Sequence, residues 1–428
     1  MTISPWILLF LAVPVLLLGE FLVRRIGLLS RFNIPAPVAG GLLVCLAILA
    51  ANLAGVAITL EQKVDETWWN WLVLTEPEVA QRPMVDVIRP FLVAFFVCIG
   101  LNASWGLVKR ASWQLPLFCA LSGGLAILQN ALGMSVATML GESPLLGLLC
   151  GSIALTGGHG TAIGFSDVIV EAGYPSAAVV GIAAATFGLV AAGLLGGPVG
   201  GRLIAKHGLR STEPKLGPVP GSAIVESEPA PGLVNDLRAL AQYGRTAVAH
   251  LLVVALCIKL GAWVSFGITQ VGLTFPVYIG AMLVGVLIRN LFYATGITWI
   301  DTRVIDLLGS VFLGIFLSMA MMALNLIELA NTATSMMIIL GLQVLMMAAY
   351  ATFVTYRFMG RDYDAAVMAA GHCGFGLGAT PAAVANMKTL VEKYGSAPRA
   401  FLIIPLVGAF LIDFINSLII TGYLNLFG

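Results

Sequence analysis

Charge is scarce in this chain. Asp, Glu, Lys and Arg make up 10% of its 428 residues, against about 25% in a soluble domain. The net charge is +1, so the composition offers no basic face for nucleic acid. Paired cysteines are missing as well. Cys45, Cys98, Cys119, Cys150, Cys257 and Cys373 stand singly in apolar surroundings, with no CxxC spacing. That argues against a disulfide framework and against a zinc or other transition-metal site, and leaves six small buried residues. What fills the chain is hydrophobic, 59% of it, in runs of about 20 residues, the length that crosses a bilayer as a helix. The pattern is that of an all-α integral membrane protein with many spans. The first run, "SPWILLFLAVPVLLLGEFLVRR", carries Arg24 and Arg25 after its apolar core. A cleaved signal has its positive charge before the core, so this run is expected to be retained as the first span.

Ten spans are expected, at 6–23, 35–56, 90–107, 115–139, 177–200, 246–266, 273–289, 308–326, 334–355 and 401–424. Two more apolar segments, 145–166 and 365–385, are long enough to cross but rich in glycine. Charge decides between crossing and dipping, because Lys and Arg gather in cytoplasmic loops. Arg24, Arg25 and Arg31 follow the first span and place the amino terminus outside; Glu61, Asp65, Glu66, Glu76, Glu78 and Asp86 then fall in an outer loop. Lys109 and Arg110 follow the third span, inside. If 145–166 crossed, the loop with Arg202, Lys206, Arg210, Lys215, Arg238 and Arg245 would lie outside; if it dips and returns, that loop is cytoplasmic. Arg357 and Arg361 before the second glycine-rich segment, and Lys388, Lys393 and Arg399 after it, ask for one and the same side. With both segments as re-entrant hairpins, every one of the 22 Lys and Arg residues falls inside except Lys63, Arg82, Arg89 and Lys259.

The two halves resemble each other. "PVAGG" from Pro37 is answered by "PVYIG" from Pro276, and "GGHGTAIG" from Gly157 shares the frame GxxGxxxG with "GHCGFGLG" from Gly371. Tyr174, Ser176 and Ala177 are matched by Tyr394, Ser396 and Ala397, and Gly188 by Gly408. Each repeat, 1–206 and 241–428, holds five spans and one hairpin, and an odd number of spans inverts the second repeat relative to the first. Inverted repeats with broken backbone near the midplane are the architecture of secondary transporters. Between them, 207–240 is expected to be a flexible cytoplasmic linker, Pro- and Ser-rich over 211–232.

The stretch "MAAGHCGFGLGATPAAVANM", Met368 to Met387, is expected to hold neither a regular helix nor a regular strand. A turn at membrane depth exposes peptide groups that must be satisfied, and glycine lets that backbone approach a ligand. Amides opening a helix suit a carboxylate, and carbonyls closing one suit Na⁺. Small residues also permit tight helix packing; two related motifs in segments that charge keeps from crossing favour binding. Of the polar residues within spans, Asp413 is the clearest functional candidate. Asn416 lies three residues on, on the same helix face, and a carboxylate beside an amide oxygen suits a hard cation. Asn102, Gln129 and Asn130 are each either helix glue or ligand. Lys259 reads as a snorkelling or paired lysine, and Asp167 closes the first hairpin near the outer headgroups.

These residues resemble the bacterial sodium/glutamate symporter family. The resemblance is carried by "IPAPVAGGLL", "FFVCIGLNA", "SIALTGGHGTAIGFS", "ATFGLV", "YDAAVMAAGHCGFGLGATPAAVANM" and "VGAFLIDFIN", in order from residue 34 to 416. It implies Na⁺-coupled uptake of L-glutamate across the bacterial inner membrane and a homodimer of inverted five-span repeats. It also implies an elevator-like motion of a hairpin-bearing core. On matching positions, Gly157, Gly158, His159, Gly160 and Thr161 of the first hairpin and Gly374, Gly376, Gly378, Ala379 and Thr380 of the second would meet substrate. Asp413 and Asn416, with Asn102, would meet sodium. No cofactor is implied beyond the coupling ion. Two rivals are weighed: a carrier of another small carboxylate, driven by Na⁺ or by H⁺ through His159, His372 or Asp413, and an intramembrane hydrolase using His372 and Cys373. Adjacent residues on a helix point apart, and no third group orients that pair.

Overall fold

The structure, a computed structural model, describes residues 2–31, 34–81, 84–104, 106, 113–211, 232–270, 276–297 and 299–427. The principal helices are α1 (Pro5–Arg25), α2 (Ala36–Leu53), α3 (Thr67–Val73), α4 (Arg89–Asn102), α5 (Gln114–Met139), α6 (Pro144–Leu148), α7 (Gly158–Gly164) and α8 (Ala177–His207). They continue as α9 (Leu233–Tyr243), α10 (Arg245–Gln270), α11 (Val277–Ala294), α12 (Thr302–Met322), α13 (Leu326–Tyr350), α14 (Tyr363–Leu377), α15 (Thr380–Tyr394), α16 (Pro398–Leu406) and α17 (Ile412–Phe427). Two-residue strands pair β1 (Thr2–Ile3) with β2 (Thr59–Leu60) in parallel, and β3 (Lys63–Val64) with β4 (Val85–Asp86) antiparallel.

Among the described residues, eight helices are long and apolar enough to cross a membrane. The protein is thus an all-α, multi-pass membrane protein. The third expected span is met by the 14 residues of α4, which ends at Asn102 with Ala103 and Ser104 non-helical after it. The tenth is built in three pieces, α16, a π turn over Val407–Leu411, and α17. Most of the expected linker lies outside the described residues, but its last residues already belong to α9, whose first N–H, at Leu233, is taken by the Glu20 carboxylate.

The chain divides into two compact units that do not follow its halves. One unit draws on Met1–Ser30, Ile34–Gly106 and Pro229–Leu326; the other on Arg31–Asn33, Leu107–Glu228 and Ile327–Gly428. In the first unit small residues bring helices to backbone contact. A Cβ at Gly19 would lie 1.9 Å from Ala36 O, and one at Gly100 would lie 2.3 Å from Met282 O. Such approach gives van der Waals contact where lipid offers no hydrophobic drive between helices.

Lys259 of α10 is paired. Its ammonium donates to Trp71 O (3.0 Å) and Leu74 O (2.9 Å), the last carbonyls of α3, sits 4.0 Å over the Trp71 ring, and reaches Glu76 at 3.3 Å. A cation at a helix C-terminus meets the negative end of its dipole. The backbone N–H of Glu76, then the Trp71 indole and Lys259, hold the Glu76 carboxyl below the usual carboxylate range. Lys259→Met, which orphans those carbonyls, is expected to cost about 1–2 kcal/mol, read as a lower melting temperature in detergent with substrate affinity unchanged. Lys259→Arg should recover part of the loss.

Candidate functional site

The second unit holds two interrupted helical segments. The first opens on Ser143, whose hydroxyl accepts from Leu145 N (3.3 Å), and runs through α6 into a π turn over Leu149–Ile153. Gly151 (φ −93°, ψ −138°) turns the next peptide out of the helix, and the chain is non-helical again over 154–157. It re-enters helix at Gly158, whose φ of +66° is left-handed and suits glycine. The second segment opens on Asp362, whose carboxylate accepts from Ala365 N (2.8 Å), and runs as α14 to Leu377. It breaks only at Gly378 and Ala379 before α15 begins, with Pro381 in the first turn, where no N–H is missed.

The expectation that Met368 to Met387 could hold no regular helix is therefore corrected: all of it but two residues is helical. Each glycine costs a helix interior up to about 1 kcal/mol, and close packing offsets it. A Cβ on Gly374 would lie 2.2 Å from Ala383 Cα, one on Gly371 2.9 Å from Met387 Sδ, and one on Gly376 2.8 Å from Leu125. These three glycines let α14 lie against α15 and its neighbours. The frame GxxGxxxG thus joins positions that differ in structure, for Gly157 lies at a break and Gly371 in mid-helix. The Tyr174/Tyr394 pairing sets Gly158 against Gly378, both at breaks.

The two breaks meet. A Cβ on Gly158 would lie 3.1 Å from Gly378 O. Gln129, fully buried on α5, joins them: its Nε2 donates to Gly376 O (2.7 Å), and its Oε1 accepts from Thr156 Oγ1 (2.6 Å). Its main-chain carbonyl accepts from Gln343 Nε2 (2.7 Å) on α13. Of the sequence alternatives, Gln129 is glue, since both ends of its amide are taken within the protein.

The other candidates fall around this junction. Thr161 is buried beside Gly157 in α7, with Gly160 one residue before it. His159 Nε2 lies 3.0 Å from Thr186 Oγ1, and because that hydroxyl donates to Ile182 O (2.9 Å), the imidazole is the donor. Thr380 Oγ1 donates to Gly408 O (2.6 Å), within the π turn that precedes α17. Asn416, one turn along α17 from the partly exposed Asp413, is fully buried and donates to Ser152 O (3.0 Å). Asn102 belongs to the first unit, where it ends α4 and donates to Asp306 Oδ1 (2.6 Å). His372 stacks on Phe375, and its Nδ1 is 2.8 Å from Thr355 Oγ1, while Cys373 is buried. Sequence reasoning gave Ser152 and Thr156 no role, although both lie in the stretch "SIALTGGHGTAIGFS", at i, i+4 spacing.

Comparison with known proteins bears on the same residues. The sequence matches the family described as Sodium/glutamate symporter over residues 2–74 and 82–396. A sodium/glutamate symporter of Escherichia coli (strain K12) is 39% identical over 417 residues, 96% of this chain and 95% of that protein, and one of Shigella flexneri has the same figures. One of Haemophilus influenzae is 38% identical over 417 residues, 97% of this chain and 96% of its own. These relatives are transporters by name, not enzymes. With most of both segments inside the matched region, the chain belongs to the sodium/glutamate symporter family.

Proposed function

We propose that this protein carries L-glutamate into the bacterial cell together with Na⁺, by alternating access. The observation that carries the reading is the junction at Gly158 and Gly378, where two interrupted segments of one compact unit bring their non-helical turns together. On this reading both segments are re-entrant hairpins of inverted repeats, entering from opposite faces. Both termini lie outside, the central linker is cytoplasmic, and the protein is a homodimer. The unit with the hairpins travels as an elevator core while the other stays fixed.

The first-turn amides of α15, which a helix leaves without intrahelical partners, and the Thr161 hydroxyl meet the glutamate carboxylates. Thr380, whose proton is directed to Gly408 O, positions the second break. The glycines at 157, 158 and 378 keep side chains out of the contact. Sodium is held on the α17 side, where Asp413, the one acidic residue of that helix, supplies a carboxylate and Asn416 an amide oxygen. Glutamate carries −1 at neutral pH, and moving one charge against the membrane potential costs about 2.3 kcal/mol per 100 mV. More than one Na⁺ per glutamate makes the cycle run inward with the potential.

The test is counterflow of labelled L-glutamate in proteoliposomes, with Na⁺ and H⁺ gradients imposed separately. Exchange that needs Na⁺ and ignores the H⁺ gradient is expected. Exchange that follows H⁺ and persists in choline would establish the proton-driven rival instead. Asp413→Asn is expected to raise the Na⁺ concentration for half-maximal uptake about tenfold, the equivalent of about 1.4 kcal/mol, at an unchanged level of protein in the membrane.

A further inference from the structure

Ser152 is gripped from two sides. Gly151's non-helical peptide points the Ser152 N–H out of its helix, and Asn130 Oδ1 on α5 accepts it at 2.8 Å. Asn416 Nδ2 on α17 donates to Ser152 O at 3.0 Å. Each asparagine spends one end of its amide on this single residue. A Cβ on Gly151 would lie 2.7 Å from Asn130 Oδ1, so the grip depends on glycine there.

The other ends have no hydrogen-bond partner among the described residues. Asn416 Oδ1, Ser152 Oγ and Asn130 Nδ2 are all orphaned, on three residues that are each 0% exposed. Buried polar atoms are costly to leave unmatched. Two orphaned oxygens, on Ser152 and on the asparagine bound to its carbonyl, call for an occupant; the Asn130 Nδ2 donor is not part of that pair. The charge of that occupant can be read from the three elements that supply the cluster. Neither α5 nor the segment Pro144–Ile153 carries a charged residue, and α17 carries Asp413 alone, one turn from Asn416. Of Asp, Glu, Lys and Arg, these elements thus carry one acid and no base, and the orphaned acceptors are hard, neutral oxygens.

We propose that Ser152 Oγ and Asn416 Oδ1 are ligands of a small monovalent cation seated in the first interrupted segment, ahead of its break. Asn130 acts as the positioning residue that holds Ser152 in place. The proposal rests on the Na⁺-coupled reading above and deepens it by giving Asn416 a partner ligand, Ser152, and a positioning residue, Asn130. A dehydrated cation at this point ties α17 to the turn that leads to Thr156 and Gly158. The ion therefore sets the first break before glutamate arrives. Such a seat suits a small hard ion bound by oxygen, so Na⁺ and Li⁺ should fill it better than K⁺.

The experiment uses the purified full-length protein and two readouts. Melting temperature is followed against NaCl, with choline chloride keeping ionic strength constant and no glutamate present; counterflow of labelled glutamate is followed against the same Na⁺ series. The wild type is expected to be stabilised by Na⁺ alone. In Ser152→Ala and Asn416→Leu the half-saturating Na⁺ should rise at least tenfold in both readouts. Ser152→Cys, close in size but with a soft sulfur in place of the hydroxyl, should show the same loss and serves if Ser152→Ala does not fold. Variants that keep the wild-type Na⁺ half-saturation while wild-type transport still needs Na⁺ would overturn the seat, leaving water in the cluster and the symport reading intact. Wild-type exchange indifferent to Na⁺ would overturn both.

Discussion

Replacing Gly374 even by alanine is expected to abolish glutamate uptake and to lower the amount of protein in the membrane. The added Cβ would sit 2.2 Å from Ala383 Cα, 2.3 Å from Ala383 N and 2.8 Å from Ala382 C. All three are backbone atoms of α15, which cannot swing aside as a side chain can. The helices are joined by only Gly378 and Ala379, so α14 and α15 cannot part near Gly374 without pulling their own connection away from Gly158. Overpacking costs about 1–3 kcal/mol, and a clash with backbone falls at the upper end of that range, a large share of a total stability of about 5–15 kcal/mol. Gly197→Ala is the control. No atom lies within 4 Å of a Cβ there, and alanine is the better helix former by up to about 1 kcal/mol. Membrane levels measured by quantitative blotting, with uptake normalised to them, separate the two outcomes. Gly374→Ala protein at the wild-type level with wild-type uptake would show that α14 and α15 do not pack as described.

Gln129→Leu is expected to leave a protein that inserts but transports at a few per cent of the wild-type rate. Leucine removes the donor from Gly376 O and the acceptor from Thr156 Oγ1. Orphaning a buried polar group costs about 1–3 kcal/mol. Measured side-chain hydrogen bonds between membrane helices average nearer 0.6 kcal/mol, so we expect about 2 kcal/mol for the pair. That shifts the balance between the joined and separated breaks roughly thirtyfold without unfolding the bundle. The alternative contact from Thr156 to Gly376 O, at 3.5 Å, is too long to compensate. Thr156→Val should give a smaller loss and Thr156→Ser, which keeps the hydroxyl, almost none. The Gln129→Leu, Thr156→Val double variant should be little worse than Gln129→Leu alone, because both changes remove the same bridge. Strictly additive losses would mean that Gln129 and Thr156 act separately.

The membrane class and the position of both glycine-rich segments were legible in the sequence; the number of long helices was not, since ten spans were expected and eight helices among the described residues are long and apolar enough to cross. Apolar run length reports directly on the solvent a segment meets. Asp413 was legible as a candidate, since a carboxylate in an apolar run has few structural reasons to be there. The function of individual glycines was not. A glycine that opens a break and one that admits a neighbouring helix are written with the same letter. Only the partner atom distinguishes them: Gly378 O for Gly158, Ala383 for Gly374. Gln129 and Asn130 are adjacent in the same helix, yet one is saturated within the protein and the other is left half open.

Composition alone settled that this chain lives in a bilayer, and the order of its motifs settled its kinship, because both are properties of residues taken along the chain. Which helices form one compact body was not available in that way. Each unit combines parts of both halves, since a helix in lipid finds its partners by shape and by polar groups that need matching, wherever in the chain these arise. The meeting of the two breaks, the Gln129 bridge and the orphaned oxygens around Ser152 follow from contacts between residues as much as 264 positions apart, and no local pattern encodes a contact of that range.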